Sequence, residues 1–278
     1  MKKVLVPTDF SENAWNAISY AMAFYKNIPV TYILCHIMIP DGLPPVVETL
    51  TSYVTGEAVK ADEVIKELDA VKKKMRAHSD LKEHQITVTY LESSFVSGIK
   101  KIAKQYDIDF IVMGNKGQSN VKDKVIGGHT STVITKIKYP VMIIPEAAKF
   151  HIPVNIAFAT DYDFIYKAKV LNTLLEIANV HESNLKVLRV VNTKLSLTPF
   201  QQKNRAYLKD FLQNSSASFH RVNQSDLEKG IQSFIDSMNI DMITMVAKNL
   251  NFFQKLLFNP RVAKMSYHLQ VPFLVLHE

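Results

Sequence analysis

Short apolar runs alternate with longer amphipathic stretches along the first half of the chain. The apolar runs predict strands at about residues 3–6, 29–37, 85–91, 108–113 and 140–144. The stretches between them predict helices at about residues 12–25, 57–78, 96–105 and 129–137. Regular alternation of strand and helix is typical of a parallel sheet with helices on both faces. We therefore expect an α/β fold built on a doubly wound parallel sheet.

The composition of individual strands indicates where each one lies in the sheet. Residues 110–113, Phe-Ile-Val-Met, are continuously apolar, which is typical of a strand covered on both faces. Residues 86–90 alternate between apolar and polar, as expected nearer an edge. Both patterns fit the strand order 3-2-1-4-5. In this order the chain reverses direction between strands 1 and 4, and ligands bind at the carboxyl ends of the strands beside such a reversal.

Glycines follow the fourth strand in an unusual spacing. Gly114, Gly117 and Gly127 form the pattern G-x2-G-x9-G immediately before a predicted helix. The spacing matches neither the dinucleotide fingerprint nor the P-loop. Glycine allows the backbone to approach a phosphate closely, and the unpaired N–H groups of a helix start point at it. The plainer alternative is that these are ordinary turn glycines.

The first strand ends in a second recognisable segment. Pro7-Thr8-Asp9 closes the strand, and Ser11 is placed to cap the helix that follows. Because strands 1 and 4 flank the reversal, this segment and the glycine loop are expected to meet at one edge of the sheet.

The two segments together resemble the universal stress protein family over residues 1 to about 146. In that family a strand ending in P-T-D opens the domain, a strand ending in histidine and valine follows, and a D-L-I-V-M-G strand leads into the glycine loop. Cys35-His36-Ile37 is the counterpart of the second strand here. The resemblance implies the strand order 3-2-1-4-5 of an adenine nucleotide alpha hydrolase-like fold. Within the family, G-x2-G-x9-G marks members that hold ATP, with or without Mg²⁺.

The resemblance implies a nucleotide site with distinct roles for its residues. Asp9 would accept hydrogen bonds from the ribose or from turn amides, Ile37 would border the adenine, and Lys116 would supply countercharge. The plainer alternatives are a local turn for Asp9, core packing for Ile37 and a solvated lysine for Lys116. The complete candidate set is Pro7, Thr8, Asp9, Ile37, Met113, Gly114, Lys116, Gly117, Gly127, Gly128, His129 and Thr130.

One position departs from the family pattern. The family has serine or threonine directly after the third glycine, whereas this chain has Gly128, followed by His129 and Thr130. Gly128 keeps the backbone donor and loses a hydroxyl, so we expect weaker or differently shaped binding, with Thr130 offering a hydroxyl at the helix start. His129 titrates near neutral pH, but the sequence pairs it with no carboxylate or nucleophile. We therefore expect no catalytic residue and no enzyme.

The second half of the chain repeats the first. Residues 154–161 echo residues 2–9, and from the fourth strand onward the halves match at a constant offset. We expect one domain over residues 1–146 and a degenerate copy over residues 151–278. In the copy, the loop glycines are replaced by Val246, Asn249, Asn259 and Pro260. Because proline lacks an amide and valine brings a branched side chain, nucleotide binding is predicted in the first domain only.

Composition bears on two questions, whether the protein binds nucleic acid and where in the cell it is found. The chain has 278 residues and a net charge of +7, which could indicate a nucleic-acid partner. The lysines are dispersed, however, and Lys72-Lys73-Lys74 lies on the polar side of an amphipathic helix, so we expect no nucleic acid. The absence of a membrane-length apolar run, the short N-terminal strand and the single Cys35 lead us to expect no membrane association and a cytoplasmic protein.

Three classes of function stay open. The leading one is a stress-response protein that binds ATP or a related adenine nucleotide. The second is a protein interaction module that binds no nucleotide, and the third is a hydrolase or slow ATPase. A hydrolase of the related type would have a glycine- and serine-rich loop after strand 1, where this chain has Pro7-Thr8-Asp9-Phe10-Ser11. In the family the last strands pair across a dimer, so we expect self-association, as an intrachain pseudo-dimer or a homodimer, and an unidentified protein partner.

Overall fold

The structure is a computed structural model of the chain and describes residues 1–40, 57–78, 83–115, 128–191, 196–247 and 270–278. These residues form two compact units that meet in the sequence at Phe150 and His151. Within the described residues, no helix combines the length and the apolar composition that crossing a membrane requires. Each unit is an α/β structure with an entirely parallel sheet.

Unit 1 has the predicted alternation of strands and helices. Its strands are β1 (Lys2–Pro7), β2 (Val30–Met38), β3 (Gln85–Glu92), β4 (Phe110–Gly114) and β5 (Val141–Ile144). Its helices are α1 (Glu12–Phe24), α2 (Glu57–His78), α3 (Phe95–Tyr106) and α4 (Gly128–Lys136). The strand order is β3-β2-β1-β4-β5, which confirms the predicted order. All residues of β4 are buried, whereas β3 lies at the edge and has one buried residue, Ile86.

The start of β4 differs slightly from the prediction. Ile108 was assigned to the strand because it is apolar, but its N–H donates to the carbonyl oxygen of Ala103 at the end of α3. Asp107, with φ 51°, adopts the left-handed conformation that ends the helix. Ile108 is therefore buried as part of the helix cap.

Unit 2 repeats this strand order. Its strands are β6 (Asn155–Ala159), β7 (Asn184–Val191), β8 (Ala217–Asn223), β9 (Met242–Val246) and β10 (Phe273–Leu276). Its helices are α5 (Ala168–Asn179), α6 (Pro199–Phe211) and α7 (Leu227–Met238). The order β8-β7-β6-β9-β10 reproduces 3-2-1-4-5.

The same hydrogen bonds recur in both units. The Asp109 carboxylate accepts from the N–H of Lys3 at 2.9 Å, and the Asp109 N–H donates to the Lys3 carbonyl oxygen at 2.9 Å. In unit 2, Asp241 forms the same pair of bonds with Asn155, at 2.8 and 2.9 Å. One aspartate therefore joins the first and fourth strands of each unit at their amino ends.

The turn after the first strand is also repeated. Phe10 and Tyr162 both have φ 64°, a left-handed conformation that is uncommon for large side chains. Each donates its N–H to a threonine hydroxyl two residues earlier, Thr8 or Thr160, at 3.0 Å. These repeated bonds support a duplication of one structural unit.

Candidate functional site

The candidate site in unit 1 lies where β1 and β4 end side by side. Pro7 is the last residue of β1, and Thr8 extends the pairing by donating its N–H to the carbonyl oxygen of Cys35 at 2.8 Å. On the other side, β4 ends at Gly114. The sequence motifs predicted to meet at the reversal therefore do lie on neighbouring strands.

A compact turn leads from β1 into α1. The Asp9 carboxylate accepts from the N–H of Ser11 at 3.1 Å and from its hydroxyl at 2.5 Å. The Ser11 hydroxyl oxygen in turn accepts from the N–H of Ala14 at 3.2 Å, so Ser11 caps α1 as predicted. Asp9 thus has the turn-forming role named as its plainer alternative, and it is only partly buried. That role leaves part of its surface accessible to a ligand.

Gly114 is required by its contact with α1. A Cβ atom at this position would lie 2.5 Å from Nδ2 of Asn13 and 3.2 Å from its carbonyl oxygen. Distances below about 3 Å are not tolerated without movement of one partner. The glycine spacing predicts that a phosphate approaches the backbone of Gly114. In the structure, helix α1 also packs closely against this residue.

Thr130 is directed toward the protein. Its side chain is 2% exposed, and its hydroxyl donates to the carbonyl oxygen of Gly114 at 3.0 Å. We expected this hydroxyl to face a ligand at the start of α4. The bond instead fixes the first turn of α4 to the end of β4, because the side chain of the third helical residue points back toward the strand.

His129 is the exposed neighbour of Thr130. Its ring stacks on Phe95 with 4.5 Å between the centroids and an angle of 13° between the planes. Partial burial of the ring lowers the pKa of His129, and the nearby Asp9 carboxylate partly raises it. The charge of Asp9 thus acts on His129, and the lowered pKa favours the neutral imidazole at neutral pH.

The end of β2 contributes packing. His36 Nδ1 donates to the carbonyl oxygen of Thr8 at 2.8 Å, and the His36 ring stacks on Phe10 at 4.7 Å. Ile37 is 7% exposed, and a Cβ added to Gly98 of α3 would lie 2.7 Å from its Cδ1 atom. Ile37 thus has the core role that was its alternative interpretation.

The remaining candidates divide between the described residues and the rest of the chain. Met113 is 6% exposed inside β4, and Gly128 begins α4. Lys116, Gly117 and Gly127 lie outside the described residues. Asn13 and Phe95 were missed, because the amphipathic pattern shows which side of a helix is buried but not which residue reaches a neighbouring loop.

The described site combines the turn after β1 with the end of β4 and the start of α4. Across the residues that the structure describes, no group of three or more histidine, cysteine, aspartate or glutamate side chains could hold a metal ion. Burial raises the pKa of the single Cys35 thiol, so the thiolate that a nucleophile or metal ligand requires is strongly disfavoured.

Comparison with known proteins identifies the family. The model of the universal stress protein family matches residues 1–145. The chain belongs to the universal stress protein family. It is 30% identical over 154 residues to universal stress protein MJ0577 of Methanocaldococcus jannaschii, a match that covers 51% of this chain and 94% of that protein.

Solved structures show the same fold over the whole length. A universal stress protein from Archaeoglobus fulgidus matches with a TM-score of 0.70 at 17% identity, covering 99% of this chain and 98% of that one. PA1789, a functionally unknown protein from Pseudomonas aeruginosa, matches with a TM-score of 0.56 at 10% identity, covering 100% and 92%. These matches confirm the predicted universal stress protein fold in a chain long enough for two such domains.

The equivalent crevice of unit 2 differs from this universal stress protein site. Val246, 2% exposed, ends β9 where Gly114 ends β4. The Thr160 hydroxyl shares a hydrogen bond of 2.7 Å with the hydroxyl of Tyr166, which is 4% exposed. Helix α5 begins eight residues after Thr160, whereas α1 begins four residues after Thr8. The longer turn supplies the buried tyrosine. Asn249, Asn259 and Pro260 lie outside the described residues.

Proposed function

We propose that this universal stress protein binds ATP or a related adenine nucleotide in unit 1 and acts in the stress response. The observation that carries the proposal is the position of Gly114. It ends a buried central strand, opens the G-x2-G-x9-G segment and lies beside the turn formed by Asp9 and Ser11. Glycine-bounded turns of this kind expose backbone N–H groups that bind phosphate.

The proposed roles follow from the position of each residue. The loop amides of Gly114, Gly117, Gly127 and Gly128 bind the phosphates, with Lys116 as countercharge. Asp9 accepts from the ribose, while Pro7, Thr8 and Met113 shape the end of the crevice. Ile37 borders the adenine through the small part of its side chain that is not packed in the core.

His129 would lie beside the phosphates as a neutral imidazole. In that form it can donate or accept one hydrogen bond, and it adds no charge at neutral pH. We propose a binding protein in which hydrolysis is incidental. Mg²⁺, where present, accompanies the nucleotide, because divalent magnesium commonly binds through phosphate oxygens.

Unit 2 is proposed to be a degenerate domain that serves a structural or regulatory role. Val246 brings a branched side chain to the position of Gly114, and Tyr166 covers the end of β6. We further propose a cytoplasmic protein that self-associates and transmits the nucleotide state to a protein partner.

A protein interaction module without nucleotide is the second candidate. Gly128 favours it, since the family pattern has a hydroxyl-bearing residue at that position, and Thr130 directs its own hydroxyl to Gly114. One fewer charge-assisted hydrogen bond to phosphate weakens binding.

Calorimetric titration of the full chain with ATP tests the proposal. We expect one site per chain. Gly117→Val should reduce ATP affinity by about tenfold to a hundredfold or more, the effect of losing a charge-assisted contact. Asn249→Val, the counterpart substitution in unit 2, is the matched control and should leave affinity unchanged. Two equivalent sites, or full affinity in a folded Gly117→Val variant, would refute the proposed site.

A further inference from the structure

Two arginines face each other on neighbouring strands of unit 2. Arg189 of β7 and Arg221 of β8 are register partners in a parallel pair. Partners at the same register project their side chains on the same side of a sheet. Like charges placed in this way repel, so the pair destabilises the unit unless something compensates it.

The repulsion costs more free energy at Arg189 because this residue is buried. Arg189 is 8% exposed, and its Nε atom has no hydrogen-bond partner among the described residues. Among the described residues, no carboxylate lies within the 4.0 Å ion-pair distance of its guanidinium. A buried cation without a close partner is costly, and here burial followed by the charge of Arg221 lowers the pKa of Arg189.

A third guanidinium belongs to the same neighbourhood. Burial raises the pKa of the Tyr162 hydroxyl. The charge of Arg205 in α6 and a hydrogen bond from it lower this pKa in part, and the charge of Arg189 lowers it further. The charges of both Arg189 and Arg205 thus act on the Tyr162 hydroxyl. We call Arg189, Arg205 and Arg221 the arginine cluster.

Carboxylates near the arginine cluster compensate it only in part. Asp161 and Asp163 act on Arg189 from beyond ion-pair distance, and each raises its pKa less than burial lowers it. Asp163 also accepts a hydrogen bond from the Gln201 amide at 2.8 Å. Three guanidinium groups beside two carboxylates leave an excess of positive charge.

The fold itself does not require these arginines. Arg189 comes directly after Leu188, whose carbonyl oxygen accepts from the N–H of Thr160. His36 has the same position in unit 1, because it comes directly after Cys35, whose carbonyl oxygen accepts from the N–H of Thr8. His36 is paired in register with Tyr90, an uncharged partner. Unit 1 therefore builds the same strand ends from a histidine and a tyrosine, and the charges are particular to unit 2.

We propose that the arginine cluster is a binding site for the phosphate group of a small molecule, separate from the nucleotide site proposed for unit 1. A phosphate dianion presents several oxygens to guanidinium groups that come from two strands and a helix, and guanidinium forks bind such oxygens in bidentate geometry. The ligand supplies the countercharge that the described residues lack. Unit 2 would thus bind phosphate through side chains, whereas unit 1 is proposed to bind it through the backbone of a glycine loop.

Calorimetric titration of the full chain at constant ionic strength tests the site. Inorganic phosphate and glycerol phosphate are titrated separately, which distinguishes the free ion from a phosphate monoester as the ligand. We expect saturable binding of at least one of them, weakened about tenfold or more by Arg189→Gln and by Arg221→Gln. Arg76→Gln, the same substitution in unit 1, is the matched control and should leave binding unchanged.

Two further measurements keep the outcome decisive. Arg221 is exposed, so Arg221→Gln remains informative if Arg189→Gln fails to fold. Gly117→Val should retain phosphate binding at the arginine cluster whether or not ATP binds in unit 1. Absence of saturable binding for both ligands, unchanged affinity in Arg221→Gln, or loss of phosphate binding in Gly117→Val would overturn the proposal.

Discussion

Thr130 donates its hydroxyl to the carbonyl oxygen of Gly114 across 3.0 Å, and both residues are buried. The bond joins the first turn of α4 to the last residue of β4, so these two elements are fixed relative to each other. The positions from which the loop starts and to which it returns are therefore set by the fold of unit 1, before any ligand binds.

Replacing Thr130 tests this connection. Thr130→Val keeps the shape of the side chain and removes the donor, so the free energy of unfolding should fall by about 1–2 kcal/mol. Urea unfolding of the full chain measures the change. Thr130→Ser, which keeps the hydroxyl, is the control. Equal stability of the valine and serine variants would show that the hydrogen bond does not hold α4.

The contact between Gly114 and Asn13 predicts a coupling between two substitutions. Gly114→Ala should destabilise the protein by about 1–3 kcal/mol, because its Cβ atom overlaps Asn13. In an Asn13→Ala background the side-chain overlap is gone, so the cost should be smaller by at least about 0.5 kcal/mol. A double-mutant cycle of unfolding free energies measures the difference. Additive costs would contradict the contact.

His129 provides the test of catalysis. Hydrolysis needs a general base within hydrogen-bond reach of a water, and His129 is the candidate beside the proposed phosphates. We expect ATP turnover far below the ~1–1000 per second of dedicated enzymes, and His129→Ala should change nucleotide affinity more than turnover. Rapid hydrolysis in the wild type that disappears in His129→Ala, with affinity intact, would make the protein an ATPase.

His277 predicts a dependence of stability on pH. Burial lowers the pKa of His277 to about 4, and in the part of the chain that the structure describes its Nε2 atom has no hydrogen-bond partner. The unfolded chain binds this proton near the ordinary pKa of about 6.5, so the stability present above that pH is lost as the pH falls toward 4.

Urea unfolding between pH 7 and pH 4 measures this contribution. His277→Gln has no titrating ring, and its stability should fall less than that of the wild type over the same range. Parallel curves for the two proteins would show that His277 does not titrate abnormally.

Much of the fold could be predicted from the sequence because buried positions are occupied by apolar residues in a regular pattern. The continuous apolar run of β4 indicated a central strand, and the alternation in β3 indicated an edge. The duplication was also visible, since Asp109 and Asp241 occupy matched positions and make the same bonds to the first strand.

The sequence predicted where the site lies but not the directions in which its side chains point. The sequence placed Thr130 at a helix start, yet only the packing of α4 on β4 decides that its hydroxyl points inward. Arg189 shows the same limit, because a single arginine in a strand has no periodic signal. Its burial beside Arg221 depends on the register of two strands separated by a helix.

The matched turns at Phe10 and Tyr162 bear on how such chains are classified. Both keep the left-handed backbone and the threonine hydrogen bond, although only unit 1 keeps the glycines. The P-T-D or A-T-D segment accordingly goes with the turn that both units share, and it is present with or without the loop glycines. The two units differ instead at the last residue of the fourth strand, which is Gly114 in β4 and Val246 in β9.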